Sequence, residues 1–189
     1  MANKISTTVE ASIISTQPVV GDITPDSLVT FGTHVTVDGN ITLQASDTSA
    51  ITSDGDASAV AASFGVSGGA LAVGVALGKN HVENTISAFV ENSEVISKGG
   101  GLSLEASEES SLFSSSQTAA VSVSNGISVA GGGANSEGTT LTTSQAFIKT
   151  SRIEIEGDLS VQARDLSMIT AVVETTSVSI GIGFASAGA

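Results

Sequence analysis

The chain has no cysteine, tryptophan or tyrosine, and it has only two prolines and six phenylalanines among its 189 residues. Without cysteine it can form no disulfide, and it offers no thiolate for catalysis or for a metal site. Because aromatic side chains are scarce, any core must consist of Ala, Val, Ile and Leu. This composition predicts a thin interior that extends over many layers rather than one deep globular core.

Basic residues are also few, since six Lys and Arg face 19 Asp and Glu for a formal net charge of −13. They stand singly, at Lys4, Lys79, Lys98, Lys149, Arg152 and Arg164. Nucleic acids and anionic membranes select clustered basic side chains, so we expect neither as a partner. With 31 serines and 20 threonines the exterior is acidic and hydroxyl-rich. This favours a secreted or cell-surface protein, although no apolar signal segment follows Met1.

Internal repeats dominate the chain. The block at 41–47 recurs at 102–108 and 159–165, offsets of 61 and 57 residues. A second block, at 88–93, recurs at 146–151, an offset of 58 residues, with a weaker copy at 11–16. These two blocks and a third, made of small apolar residues, recur in one order, which predicts a repeat architecture with a unit of about 58 residues.

Runs of small apolar residues form the third block. They occupy 57–78, 119–133 and 171–188. The first is long enough to consider as a membrane span, but its counterparts contain interleaved polar residues, so we predict that these runs form coil core rather than bilayer helices.

The repeats predict one solenoid segment over 1–189, without a second domain. Its units are approximately 34–95, 96–152 and 153–189, the last incomplete, which indicates a piece of a longer solenoid. The stretch 17–33 interrupts the first unit, contains both prolines, and is expected to form a surface excursion.

Apolar and polar residues alternate inside the blocks, as at Val35, Val37, Ile41 and Leu43. This period of two is typical of half-buried strands, and helix signals are weak throughout. We therefore predict an all-β parallel β-helix, with glycine turns of positive φ at 39–40, 100–101 and 157–158. At about 20 residues per coil, each unit would hold three coils, and nine coils would span ~40–45 Å.

The pattern Ala-Phe-Val/Ile at 88–90 and 146–148, followed by Gly-x-Leu-x-Leu-x-Ala near 100–106, resembles the tandem repeats of very large bacterial surface and secreted proteins. These include filamentous-haemagglutinin-like adhesins, autotransporter passenger regions and leukotoxin-type proteins. The resemblance implies a right-handed parallel β-helix exposed outside the cell and used for reach, adhesion or matrix building. It implies no catalytic residue.

Candidate chemical sites are few. Asp54 and Asp56 flank a glycine and are the best candidates for a weak structural calcium site at a turn. The carboxylates of Glu154 and Glu156 share one strand face, as a glycosidase pair could, but solvated surface carboxylates account for them more simply. His34 and His81 lie far apart in sequence. We expect no catalytic or cofactor-binding residues.

Three functions remain open. The leading hypothesis is a non-enzymatic, structural and adhesive segment of a large secreted or cell-surface bacterial protein, a rigid shaft that contacts host or matrix glycans and proteins without inserting into membranes. The alternative is an extracellular filament subunit that joins copies of itself end to end. A polysaccharide-acting enzyme or toxin module, using Asp22, Asp26 and His34, is the third.

Overall fold

The structure, a computed structural model, describes residues 2–17, 19–20, 30–64, 68–182 and 185–188, the last range by its backbone only. Within these ranges the regular elements are all strands. They are β1 Ala2–Ile14, β2 Thr33–Val37, β3 Ile41–Ser63, β4 Ala70–Glu91, β5 Ser93–Ser97, β6 Leu102–Ser124, β7 Ile127–Lys149, β8 Arg152–Ile155, β9 Leu159–Asp165, β10 Met168–Gly181 and β11 Ala185–Gly188. No helix of the described ranges is long and apolar enough to cross a membrane.

All pairs between these strands are parallel, and they build three sheets. One long sheet has the order β1-β4-β7-β11, the other stacks β3, β6 and then β9 and β10, and a short sheet has the order β2-β5-β8. The chain thus passes through the three sheets in turn and returns one strand spacing further along. We call each circuit a rung: β1 to β3 form the first, β4 to β6 the second, and β7 to β10 the third.

The strand register reproduces the repeats of the sequence. Ile41 pairs with Leu102 and Leu102 with Leu159, so the first block stacks on its own copies. Ala88 pairs with Ala146 and also with Ala11, which confirms even the weak copy near the N-terminus. Phe89 stacks on Phe147 with ring centroids 4.8 Å apart. The predicted parallel β-helix with a repeat of about 58 residues is therefore confirmed.

The number of coils per repeat was predicted wrongly. A whole 58-residue unit forms one rung rather than three coils, because its long strands contain 22 or 23 residues each. At ~3.3 Å per residue such a strand extends ~75 Å, while the rungs follow one another at ~4.8 Å. The described chain is therefore a wide, thin slab of about three rungs instead of a narrow rod of nine.

The interior tapers from the short sheet toward the opposite edge. Beside the short sheet the core contains large aliphatic residues, among them Ile86, Val95, Leu102 and Leu104. At the far edge the core cluster consists only of alanines: Ala72, Ala120 and Ala130, with Ala59 and Ala61 against them. Side-chain volume therefore sets the distance between the long sheets. We call the two regions the wide half and the narrow half.

Glycines at the corner between the short sheet and β3 or β6 do not have the predicted backbone conformation. Among the described glycines only Gly99 has a positive φ, 80°. Gly100 is required for another reason: a Cβ there would lie 2.2 Å from the carbonyl carbon of Gly39 on the rung below. The rungs approach closely at this corner, and a side chain would separate them.

Between β1 and β2 the chain makes a longer connection than at the equivalent corners of the later rungs. β1 pairs with β4 at an offset of 77 residues, whereas β4 pairs with β7 at 58. Val20 and Thr30 exchange two backbone hydrogen bonds of 3.3 and 3.0 Å. The predicted excursion at 17–33 includes this bridge, but Pro18, Pro25 and most of its other residues lie outside the described ranges.

Candidate functional site

The candidate calcium ligands do not lie at a turn. Asp54 and Asp56 point outward from the middle of β3, where both are exposed, and Gly55 between them points inward. Their register partners on β6 are Ser115 and Gln117. In the part of the chain that the structure describes, no group of three or more His, Asp or Glu side chains is arranged to hold a metal ion.

The two histidines belong to separate ion-pair groups between rungs. His34 Nδ1 lies 2.5 Å from Oε2 of Glu94, and the other oxygen of that carboxylate, Oε1, lies 3.6 Å from Arg152 Nη1. His81 lies 3.9 Å from Glu83, whose carboxylate accepts a 2.8 Å hydrogen bond from Lys4. The two histidines therefore do not share a site. Asp22 and Asp26, proposed partners of His34, lie outside the described residues.

Lysine and arginine side chains join neighbouring rungs. Lys149 lies 2.7 Å from Glu91, and Lys79 lies 3.1 Å from Glu137. The Lys4 ammonium donates a hydrogen bond to Glu83 and its charge adds to this, so the pKa of that carboxyl is below its usual value. Solvent screens such exposed pairs, so they add little to stability. Each of these pairs joins a lysine of one rung to a glutamate of an adjacent rung.

Glu154 and Glu156 are exposed at the short-sheet corner. Glu154 lies on β8 opposite Ile96, and Glu156 follows the strand, where its N–H donates to the carbonyl of Ser97 at 3.3 Å. Together with Lys98 they line a shallow hollow whose remaining walls are Ile96, Ser97 and Ile155. No aromatic side chain contributes to it, so it lacks the platform on which a sugar ring could stack.

The outer surface of β4 carries an apolar stripe that the sequence interpretation missed. Large aliphatic side chains point to solvent at Leu71, Val73, Val75 and Leu77, and Leu71 is 67% exposed. Ile127 and Val129 extend the stripe onto β7. We call these six residues the aliphatic face. The run 57–78 is therefore not simply coil core, since its large residues in β4 point outward and its small ones inward.

The two long sheets approach closely here, which explains why the large side chains of β4 point outward and the small ones inward. A Cβ at Gly78 would lie 2.8 Å from the Ser114 hydroxyl and 2.9 Å from the Ser116 hydroxyl, so a larger residue would force both serine side chains to shift. Serine hydroxyls bridge the narrow space to backbone carbonyls of the opposite sheet, from Ser122 to Ala70 at 2.9 Å and from Ser116 to Asn135 at 2.7 Å. Alternation alone cannot reveal which set faces inward when both sets are apolar.

In the narrow half, the outer surface of sheet β3-β6-β10 is also apolar. Val60, Val121 and Val178 stack in register there, and all three face outward. Ala62, Val123 and Ile180 form the neighbouring stack. The narrow half thus exposes aliphatic side chains on both of its sides.

Outward positions of the wide half form polar columns, by which we mean equivalent side chains stacked on successive rungs. Gln44 donates to Glu105 at 3.2 Å, and Gln162 occupies the same position on the third rung. Further along β6, Gln117 donates to Glu174 at 2.8 Å. Each rung therefore presents the same kind of surface as the next, displaced by one strand spacing.

The fold and these surfaces define a parallel β-solenoid repeat protein, in which one sequence repeat forms one rung. No protein-family model, curated protein or solved structure matches the chain.

Proposed function

We propose that the chain is a non-enzymatic structural and adhesive repeat segment of a large secreted or cell-surface bacterial protein. It acts as a rigid shaft with a multivalent contact surface. The observation that carries this proposal is the unbroken register: all 23 positions of β3 pair with β6 without a bulge. Stiffness follows because long strands of each rung are hydrogen-bonded to those of the next, over all 23 residues of β3 and all 22 of β4.

Contact to partners is proposed to be weak at each rung and repeated along the shaft. The polar columns of the wide half offer amide and carboxylate groups to glycans, and the aliphatic face offers area to matrix proteins. Exposed apolar patches of this kind mark interaction surfaces more often than chance. Linking equivalent contacts raises the overall affinity by ~10²–10⁴ without any strong single site.

Binding of the chain displayed on beads tests this proposal. We expect the beads to bind glycans or immobilised matrix proteins in arrays and the free chain to bind at least ~100-fold more weakly. One variant removes the aliphatic face of β4 by replacing Leu71, Val73, Val75 and Leu77 with Ser. The comparison variant removes a polar column by replacing Gln44, Glu105 and Gln162 with Ser. The surface that makes the contact is the one whose variant loses binding. Beads that bind nothing in either array would contradict the adhesive part of the proposal.

A second candidate function, the filament subunit, is favoured by one observation. Core positions of the third rung are open to solvent, among them Leu159, Val161 and Ile169, although their equivalents Leu102, Leu104 and Leu112 on β6 are fully buried. A further copy of the chain stacked on this rung would cover them. Sedimentation of the purified chain distinguishes the two functions, because a filament grows with concentration and a shaft segment does not.

A further inference from the structure

One carboxylate from each rung points into the interior at the same position. Asp47 pairs with Glu108 and Glu108 with Asp165, so the three lie in one column along the solenoid. Glu108, in the middle, is 0% exposed. Neighbouring strands are ~4.8 Å apart, so each charge of this column lies close to the next.

The groups that face this column across the interior carry no charge. They are Thr7 of β1, Asn84 of β4 and Thr142 of β7, which are register partners of one another. The Asn84 amide nitrogen donates to Asp47 at 2.7 Å and to Glu108 at 3.0 Å. Thr142 donates its hydroxyl to Asp165.

Serines two residues further along the chain supply the other donors. Ser49 donates to Asp47 and Ser167 to Asp165, both at 2.6 Å. One carboxylate oxygen stays without any hydrogen-bond partner, Oε2 of Glu108, although it is buried. A buried, ionised oxygen without a donor is costly, and here it lies between two further carboxylates.

The electrostatic effect on Glu108 has a definite direction. Burial raises the pKa of its carboxyl above the usual value of 4.5, and the charges of Asp47 and Asp165 raise it further. The hydrogen bond from Asn84 acts in the opposite direction without cancelling the effect.

We propose that the interior column Asp47–Glu108–Asp165 is a proton-binding site that makes the stacking of the rungs depend on pH. A proton from solvent binds Oε2 of Glu108, which turns the unpartnered acceptor into a hydroxyl donor and removes the central charge of the column. The rungs are then held together more tightly in acid than in base. The site would let the solenoid respond to the acidity of its surroundings.

The sign of the effect follows from linkage between proton binding and folding. Glu108 binds its proton more tightly in the folded chain than in the unfolded one, because its folded pKa is the higher of the two. Its stabilising contribution is therefore complete below pH 4.5 and is lost as the pH rises through the folded pKa. Each pH unit between the two values changes the folding equilibrium constant tenfold.

Chemical unfolding at pH 5 and pH 8 tests the proposal, with Glu108→Gln compared with Glu109→Gln. Glu109 is the matched control because it adjoins Glu108 on β6 but points outward and is exposed. At pH 8 both variants remove one negative charge from the chain. We expect the original chain and E109Q to become more stable at pH 5 than at pH 8. E108Q should lose most of this difference and be the most stable of the three at pH 8.

Equal pH dependence in E108Q and E109Q would overturn the proposal. Stabilisation by millimolar Ca²⁺ at pH 8 in the original chain, but not in E108Q, would also overturn it, since the column would then bind a cation instead of a proton. If E108Q fails to fold, carbon NMR of the Glu108 carboxyl in the original chain decides. A titration midpoint above 4.5 supports the proposal, and one at or below 4.5 contradicts it.

Discussion

Replacing Leu104 with Ala is expected to lower the free energy of unfolding by about 2–5 kcal/mol. Leu104 is 0% exposed and belongs to the largest core cluster, with Ile86, Val95 and Leu102 among its members. Truncation removes the transfer energy of the lost atoms and leaves a cavity between the two long sheets. Because strands above and below are held in register, the walls of this cavity cannot collapse onto one another easily.

The matched control for this variant is Leu71→Ala. The same atoms are removed, but Leu71 lies on the aliphatic face and is 67% exposed. We expect a change within about 0.5 kcal/mol, as for surface substitutions in general. Chemical unfolding of both variants measures the difference. Equal losses at the two positions would mean that the inward and outward sets of the narrow half are assigned wrongly.

Replacing Gly100 with Ala is expected to cost about 3 kcal/mol or more, at the upper end of overpacking substitutions. Its Cβ would lie 2.4 Å from the carbonyl oxygen of Gly39 and 2.5 Å from the backbone nitrogen of Asn40. Backbone atoms cannot swing aside as the end of a long side chain can. The rungs would have to separate, and the 2.9 Å hydrogen bond from the Gly157 N–H to the Gly100 carbonyl would be strained.

Gly39→Ala is the control at the equivalent corner of the first rung. A Cβ at Gly39 meets nothing within 4 Å. The expected change is therefore small, or slightly stabilising, because alanine reduces the freedom of the unfolded chain. Thermal unfolding followed by circular dichroism compares the two variants. A loss at Gly39 as large as at Gly100 would contradict the close contact between rungs at this corner.

The recurring blocks made the fold predictable. Aligning 41–47 with 102–108 and 159–165 predicted which residues occupy equivalent positions of the solenoid. It did not predict that these copies pair on adjacent rungs, because three coils per unit would place them three strand spacings apart. Inward and outward positions were also clear wherever apolar residues alternate with polar ones, as in the first residues of β3.

Strand length could not be read from the same pattern. The segment Asp54-Gly55-Asp56 has the composition of a turn, yet it continues β3, because Gly55 lies inside where the sheets are close together. Sheet spacing is a tertiary property that depends on residues far away in sequence. For this reason neither the size of the rung nor the outward position of the aliphatic face was predicted.

The sequence analysis did not predict the interior carboxylate column, although its three residues occupy equivalent positions of the repeats. Asp47, Glu108 and Asp165 end the three copies of the first block, and acidic residues at the end of a strand motif usually face solvent. Their inward position follows from the unbroken alternation of β3 and β6 beyond the block. The signal that could have revealed the column is that an acidic residue recurs at the same position of all three copies of the block.

One rung per 58-residue repeat is the central claim, and disulfide cross-linking tests it most directly. The chain contains no cysteine, so a pair introduced by Gln44→Cys and Glu105→Cys is the sole pair of thiols present. These positions are register partners on adjacent rungs, ~4.8 Å apart, which lies within the reach of a disulfide. Gln44→Cys with Ser107→Cys is the control, because a shift of two residues places the Cα atoms ~8 Å apart.

We expect rapid oxidation of the first pair to an intramolecular disulfide and little or none of the second. If three coils made up each repeat, residues 44 and 105 would be separated by three strand spacings, ~14 Å, and could not be bridged. Failure of the Gln44–Glu105 pair to cross-link in the folded chain would therefore contradict the one-rung repeat.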